Sequence, residues 1–448
     1  MSVASDTGAA AIAADQPLLP DAVADADPDN PAPPTRAYTR YVLLLIFLVT
    51  VFNTCDRTIL SVMVDDIRLD LALSDRQMGF VMGLAFAVTY FLAGIPLARL
   101  ADAWSRPKVV SLALFSWSLM TALGGLAQNF TQLALTRLGV GLGEAGASPP
   151  NQAMIAEYVA PERRARAMSL LTVGAIAGLA VGTVYGGWAS AQWGWRFALI
   201  SVGLPGVLLA LLFVLTVRDY RQRDTEPGGD SLWRQLRQLA AIRPFVYLTL
   251  ATCLISIPSM GRALWEPTFL RRVYGMGAAE AGGWYFVTSA LPTVVGALLF
   301  GYLLDRLAQR DQRWYVWLPA LSCLLLVPLT VGFYLYPVAP MLFGIMPQAF
   351  VLSIAASLVG ACWSPAAMSL AVQLVPGHSR SVAAATWSMI ASLVGTGLGP
   401  LLIGDLNARL APVHGDEAVR YSLLVISAAP LLAALAYWQA GRQMSAYQ

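Results

Sequence analysis

Charge is scarce in this chain. Only 12% of its 448 residues are charged and 57% are hydrophobic, whereas a soluble domain is about 25% charged and 45–50% apolar. That shortfall excludes a disordered chain, a fibrous protein and an ordinary water-soluble enzyme. With a mean hydropathy of +0.61, the chain is suited to solvation by lipid. Lysine is nearly missing: Lys108 is the one lysine, and the other basic residues are arginine. The net charge of +3 is small and scattered, so no nucleic-acid partner is expected. His378 and His414 are the two histidines. Both fall in expected loops, which removes zinc sites and most histidine-based catalysis. Cys55, Cys253, Cys323 and Cys362 lie in apolar stretches without CxxC spacing, so they read as small buried hydrophobes. There is no GxSxG, HExxH or Walker A pattern. Intramembrane hydrolysis and direct use of ATP are therefore not expected, and neither a cofactor nor a metal is implied.

What is abundant is the apolar run of about 20 residues that one membrane crossing needs. Spans are expected at 41–63, 76–99, 109–127, 131–153, 167–190, 197–217, 245–270, 282–304, 314–335, 342–373, 381–405 and 420–439. Residues 1–36, rich in Ala, Asp and Pro, read as a disordered tail without a signal peptide. With that tail inside the cell, the cytoplasmic segments carry 19 of the 29 basic residues and the outer ones 7. The bias places both termini in the cytoplasm of a cell whose inner membrane holds the chain. Residues 218–243 form the longest interior polar stretch, and its second part has one basic helical face suited to the inner membrane surface. The stretch divides a six-span bundle at 37–217 from another at 244–440, followed by a cytoplasmic end at 441–448.

An internal repeat supports the division. A shift of 217 takes Gly178, Gly182 and Gly187 onto Gly395, Gly399 and Gly404, and Arg163 onto Arg380. Two related halves point to a transporter that rocks around a site between them near the bilayer midplane.

Four charges fall inside spans: Asp56 and Arg57 in the first, Arg137 and Glu144 in the fourth. Each costs about 2.5–3.5 kcal/mol at the centre of a membrane helix, so they must pair, face the bundle interior or meet water. Asn53, Asp56 and Arg57 share one broad helical face, and Arg137, Gly141, Glu144, Ser148 and Asn151 follow the same rule in the fourth span. A carboxylate beside a guanidinium that can move onto an anionic substrate couples protonation to binding. Asp56 is thus the expected proton site, with Glu144 as its alternative or as the group that holds Arg137. Arg57 and Arg137 are the expected grip on a phosphate or carboxylate, with Asn53 and Ser148 beside them. A static ion-pair network is the competing reading.

Several of these segments carry a resemblance. Asp102-Ala-Trp-Ser-Arg106-Pro-Lys108, its weaker echo Asp305-Arg306, and Gly178-x-x-x-Gly182-Thr-x-x-Gly186-Gly187 resemble signature segments of the major facilitator superfamily. Ala98, Ser105 and Thr183 depart from the usual pattern. The resemblance implies an all-α membrane protein with twelve transmembrane helices in two pseudo-symmetric six-helix bundles, driven by a proton gradient and working as a monomer. Asn53-Thr-Cys-Asp56-Arg57, Arg137-Leu-Gly-Val-Gly-Leu-Gly-Glu144, Trp193-Gly-Trp-Arg-Phe and Trp265-Glu-Pro-Thr-Phe-Leu-Arg271 resemble the Spinster-like branch. That branch implies movement of lysophospholipids and sphingoid phosphates. Superfamily carriers of sugar acids share the Asn-x-x-Asp-Arg start, so a small organic anion is the alternative.

By sequence, the second half offers an apolar wall of Met260, Trp363, Met368, Trp387 and Met389. Trp363 and Trp387 would line its cavity. One charged wall and one apolar wall favour an amphiphile, whose tail would lie on the second half. Asp102 and Arg106 are expected near Arg380, and Asp305 and Arg306 near Arg163, as inner-gate contacts or as plain surface pairs. Arg262 and Glu266, four residues apart near the outer end of the seventh span, form either a helix-joining ion pair or an outer-gate latch.

Overall fold

The computed structural model describes residues 35–220, 232–375 and 380–444. Among them, nine segments are long and apolar enough to cross a membrane. Arg166–Thr216 and Val382–Gln443 hold 51 and 62 residues, about two crossings each, and each folds back once. The first turns at Gly194, with φ 84° and ψ 161°, a conformation a Cβ would obstruct. The second turns at Gly415, φ 54°. A further crossing joins Phe130–Glu144 to Ser148–Tyr158. It is broken between its two helices and carries Arg137 and Glu144, which keeps it out of the nine. The total is twelve.

The first span is Arg36–Ile59, extended by the turn Leu60–Val62. The second joins Asp75–Met82 to Leu84–Ala103, and the third is Arg106–Gly124. The fifth starts at Pro161 and the sixth runs from Gly194 to Thr216. A surface helix, Leu232–Ala241, precedes the seventh span, Arg243–Tyr274. The eighth comprises Ala278–Tyr285 and Leu291–Ala308, the ninth Trp314–Leu335, and the tenth Ala349–Gly360 with Trp363–Gln373. Arg380–His414 is the eleventh; Ala418–Ile426 and Ala429–Met444 make the twelfth.

Local chemistry sets several boundaries. Ser74 and Gln77 form a reciprocal capping box at the start of the second span, and Asn129 Oδ1 accepts from the Gln132 amide at 3.0 Å at the start of the fourth. Proline begins the fifth and seventh spans, where its missing N–H costs nothing. Left-handed Gly275 ends the seventh.

The repeat has a direct structural counterpart. A Cβ on Gly182 of the fifth span would lie 2.9 Å from the Cys55 carbonyl oxygen of the first, and one on Gly399 of the eleventh 2.5 Å from the Ile257 carbonyl oxygen of the seventh. The same small residues thus seat span five on span one and span eleven on span seven. Spans five and eight each hold a five-residue π turn, Val181–Tyr185 and Phe286–Ala290.

The two ends of the bundle differ. At the end away from the chain termini, here the far end, one core joins both halves and includes Ile59, Val62, Trp265, Phe269 and Ile403. Toward the end that carries the termini, the tail end, each half has its own core. Val42, Trp117 and Phe213 belong to one, and Leu248, Ala383 and Tyr437 to the other. The halves are therefore joined at the far end and separate toward the tail end.

Some expectations need correction. Residues 342–348 do not begin the tenth span. Met341–Leu342 pairs with Met346–Pro347 as a two-stranded antiparallel hairpin, with Met341 opposite Pro347. Its turn places Phe343 and Gly344 at positive φ, which a helix cannot accommodate. His414 ends the eleventh helix, with its ring 4.3 Å from that of Tyr421, rather than lying in a loop. Trp195, in the Trp193-Gly-Trp-Arg-Phe segment, is buried and donates its indole N–H to Asp70 at 3.2 Å. The expected disordered tail, the 221–231 part of the linker, His378 and the last four residues lie outside the described residues.

Candidate functional site

Spans one, two and four bring the first-half charges together. Arg57 donates through Nε to Glu144 Oε2 at 2.7 Å. Glu144 is fully buried, while a third of the Arg57 side chain stays exposed. Asp56, 1% exposed, lies within electrostatic reach of both Arg137 and Glu144. The Arg57 guanidinium stacks over Phe86 and Tyr90 at 5.1 and 4.9 Å, and that of Arg137 over Phe86 at 5.9 Å. The two rings are themselves stacked, 5.5 Å apart. Cation–π contact of this kind steadies a guanidinium without using its N–H groups. The arginines are thereby held while their donors remain available.

The cluster is incompletely satisfied. Asn53 Nδ2, Asp56 Oδ1, Arg137 Nε, Glu144 Oε1 and Thr121 Oγ1 are buried without a hydrogen-bond partner among the described residues. Orphaned buried polar atoms cost about 1–3 kcal/mol each, and such atoms mark places where another group binds. Beside them is a small cavity of about 120 Å³, lined by Thr50, Asn53, Ala147, Ser148, Asn151, Gln152 and Leu171. Asn53 and Ser148 thus share one polar recess. A larger apolar groove of about 430 Å³ lies between the surface helix and spans seven and eleven, away from these charges.

The second half does not present an apolar wall. Fully buried Glu266 accepts from Arg262 Nε and from Ser289, and from Ser353 Oγ at 3.1 Å. Arg262 Nη2 also reaches Ser289 Oγ at 3.2 Å, Ser353 Oγ at 2.9 Å and Ser357 Oγ at 3.0 Å. Spans seven, eight and ten thus build a second charged, hydroxyl-rich cluster. Its pair binds spans of its own half, so Arg262 and Glu266 are not a latch between halves. Trp387 is 5% exposed and donates to Thr252 Oγ1 at 3.0 Å; it packs span eleven on span seven instead of lining a cavity. Trp363 is half-buried against the same core. Met260 and Met368 do remain exposed.

The two clusters lie at similar depth. Arg271 Nη1 donates to the Val62 carbonyl at 3.0 Å, which aligns span seven with span one. Arg57 and Glu266 each lie five residues before that meeting point. At 1.5 Å per residue they sit about 7.5 Å below it.

Ion pairs that bridge the halves occur at the far end. Arg271 grips Asp66 at 2.6 and 3.0 Å. Arg272 joins Asp65 and Asp75, with shortest contacts of 2.7 and 2.6 Å. Gly282 packs on the backbone of Thr183, so spans five and eight also touch closely there. Sequence reasoning missed these arginines because charge in a loop is ordinary. It also missed Tyr90, Phe86 and Thr121, and the three serines on separate helices.

Among the described residues, the ion pairs of the expected inner-gate residues stay within one half. Asp102 is exposed and pairs with Arg106 at 3.0 Å, and Arg106 also pairs with Glu157. This joins spans two, three and four of one half. Asp305 is exposed, Arg306 lies over Tyr302 at 4.6 Å, and Arg163 is exposed. Arg380 starts the eleventh span, and its side chain lies outside the description. Lys108, also exposed at this end, has Nζ 5.5 Å from the Trp104 ring centroid.

Among the described residues no group of His, Cys, Asp and Glu could hold a metal. The chain matches the Major Facilitator Superfamily over residues 46–400. It is 32% identical over 429 residues to an MFS-type efflux pump of Mycolicibacterium smegmatis, covering 94% of this chain and 96% of that one. It is 26% identical over 314 residues to a probable galactarate/D-glucarate transporter of Bacillus subtilis, covering 63% and 68%. Among solved structures it resembles a bacterial homologue of the human lysosomal transporter Spinster, inward-facing and unoccupied. There the TM-score is 0.82 at 27% identity, over 92% of this chain and 99% of that one.

Proposed function

This chain belongs to the Major Facilitator Superfamily, and from that premise we propose that it is a proton-coupled symporter of small organic anions of the sugar-acid class. The observation that carries this reading is the polar second wall. Arg262, Ser289, Ser353 and Ser357 give hydroxyls and a cation at a depth similar to that of the Asp56–Arg57 cluster. A polyhydroxylated acid finds polar groups on both sides there, whereas an alkyl tail would meet a charged, hydroxyl-rich surface. The similarity to the Bacillus subtilis galactarate/D-glucarate transporter supports the same class.

In this reading Arg57 and Arg137 receive the carboxylate, with Asn53 and Ser148 lining the recess beside them. Asp56 takes the proton as Arg137 turns to the substrate, and Glu144 holds Arg57 meanwhile. The arginine bias puts the tail end and both termini in the cytoplasm, in a bacterial inner membrane. The far-end pairs of Arg271 and Arg272 then form the closed outer gate, and the site is open inward. Asp102, Arg106, Arg163, Asp305, Arg306 and Arg380 are the groups that would meet when the inner side closes.

A second reading, export of an anionic amphiphile of the lysophospholipid type, is favoured by the likeness to the Spinster homologue and by exposed Met260 and Met368. Uptake into proteoliposomes under an imposed proton gradient separates the two. Labelled galactarate and labelled lysophospholipid are offered side by side. Gradient-driven accumulation of galactarate is expected; movement of the lipid alone overturns the symport reading.

A further inference from the structure

Two guanidiniums, one in each half, are fixed in the same way. Arg57 bonds fully buried Glu144 through Nε. Arg262 bonds fully buried Glu266 through Nε as well. Anchoring at Nε turns the terminal nitrogens away from the anchoring carboxylate. In Arg57 those nitrogens lie over aromatic faces, and a third of the side chain is exposed. In Arg262 the six hydrogen bonds use Nε and Nη2, so Nη1 has no partner among the described residues. Arg262 lies nine residues before the meeting point of spans one and seven and Arg57 five, a difference of about 6 Å along the bundle. An arginine whose Nε is held and that keeps a terminal N–H to spare can donate it to a carboxylate oxygen.

We propose that the substrate is a dianion with a carboxylate at each end, one held by Arg57 of the first half and the other by Arg262 of the second. The proposal rests on the sugar-acid reading and narrows it to α,ω-dicarboxylates. A dianion bound by both halves also ties them together, so occupancy favours their approach at the tail end. Charge balance sets the protons. Asp56, Glu144 and Glu266 cancel Arg57, Arg137 and Arg262 within the bundle. A dianion adds two negative charges to a region where an uncompensated charge is expensive. Two protons restore neutrality. Asp56 and Glu144 each have an orphaned oxygen to receive one.

The test compares galactarate with galactonate, which differ in having a carboxylate or a hydroxymethyl group at one end. In proteoliposomes, galactarate should compete with labelled galactarate at concentrations about tenfold lower than galactonate, the discrimination expected of a lost charge-assisted contact. Arg262→Gln should weaken galactarate about 30-fold and galactonate clearly less, so that the preference for galactarate is lost. Accumulation should follow the square of the proton gradient and ignore an imposed membrane potential. If both acids compete equally in the wild type, or Arg262→Gln weakens both alike, the two-ended grip is wrong while the sugar-acid reading stands. If neither acid is transported, the underlying reading has failed. Should Arg262→Gln not fold, Arg262→Lys keeps a cation on Glu266 but loses the fork. A galactarate-specific loss there supports the grip, and an equal loss for both acids overturns it.

Discussion

The cluster around Asp56 and the cluster around Glu266 are made of similar residues, but one is left incomplete and the other is closed. In the first cluster, five buried polar atoms have no partner among the described residues. In the second, Glu266 accepts from three donors and Arg262 reaches three serines. Satisfied networks stiffen a fold, whereas unsatisfied ones store a cost that a bound group can relieve. The difference assigns the changing chemistry to the first half and leaves the second as a fixed wall with one open donor.

Stability and transport should therefore respond in opposite order in the two halves. Asp56→Asn removes the proton acceptor, and gradient-driven accumulation should fall about 100-fold, the upper range for a coupling between two sites. Counterflow exchange without a gradient should persist; its loss would make Asp56 a binding group instead. Glu266→Gln breaks a closed, buried network and should lower stability by about 3 kcal/mol, read as a drop in melting temperature in detergent. Glu144→Gln breaks one such bond beside atoms already unpartnered and should cost about 1 kcal/mol, yet it should impair transport more. Equal melting shifts would erase the distinction between the clusters.

Smaller effects sharpen it. Thr121→Val removes a buried hydroxyl beside Asp56 and should change stability by less than about 1 kcal/mol. A larger loss would mean that Thr121 has a partner in the working protein. At the far-end surface, the hydrogen bond from Arg196 holds the Asp70 carboxyl below the usual carboxylate range. Its stabilisation is complete above the ordinary carboxylate value of about 4 and fades as pH falls through the depressed one. Asp70→Asn should thus cost under about 1 kcal/mol at pH 7, with the same deficit at pH 5. Melting curves that converge between those pH values would contradict the pairing.

The pattern of legibility follows the physics of solvation. Asp56, Arg57, Arg137 and Glu144 were conspicuous because charge inside a span is costly, and helical spacing was enough to group them. The twelve crossings followed from run length, including the fourth, which composition alone obscures. Ser289, Ser353 and Ser357 carried no comparable signal. A serine can satisfy itself on its own helix by bonding the preceding turn, so only the fold shows three of them converging on Arg262. The apolar-wall expectation failed for that reason, and because Trp387 is held by Thr252. Arg271 and Arg272 were hidden differently: near a loop, a charge is cheap and its partner lies some 200 residues away.

The scarcity of lysine has a practical consequence at the tail end. Exposed Lys108 is the one side-chain amine that an amine-reactive dye can take, beside the chain's α-amino group. The indole of Trp104 stands 5.5 Å from the Lys108 amine, close enough to quench a dye there by contact. The chain thereby carries its own fluorescence reporter at the end where its halves are separate, with no cysteine to introduce.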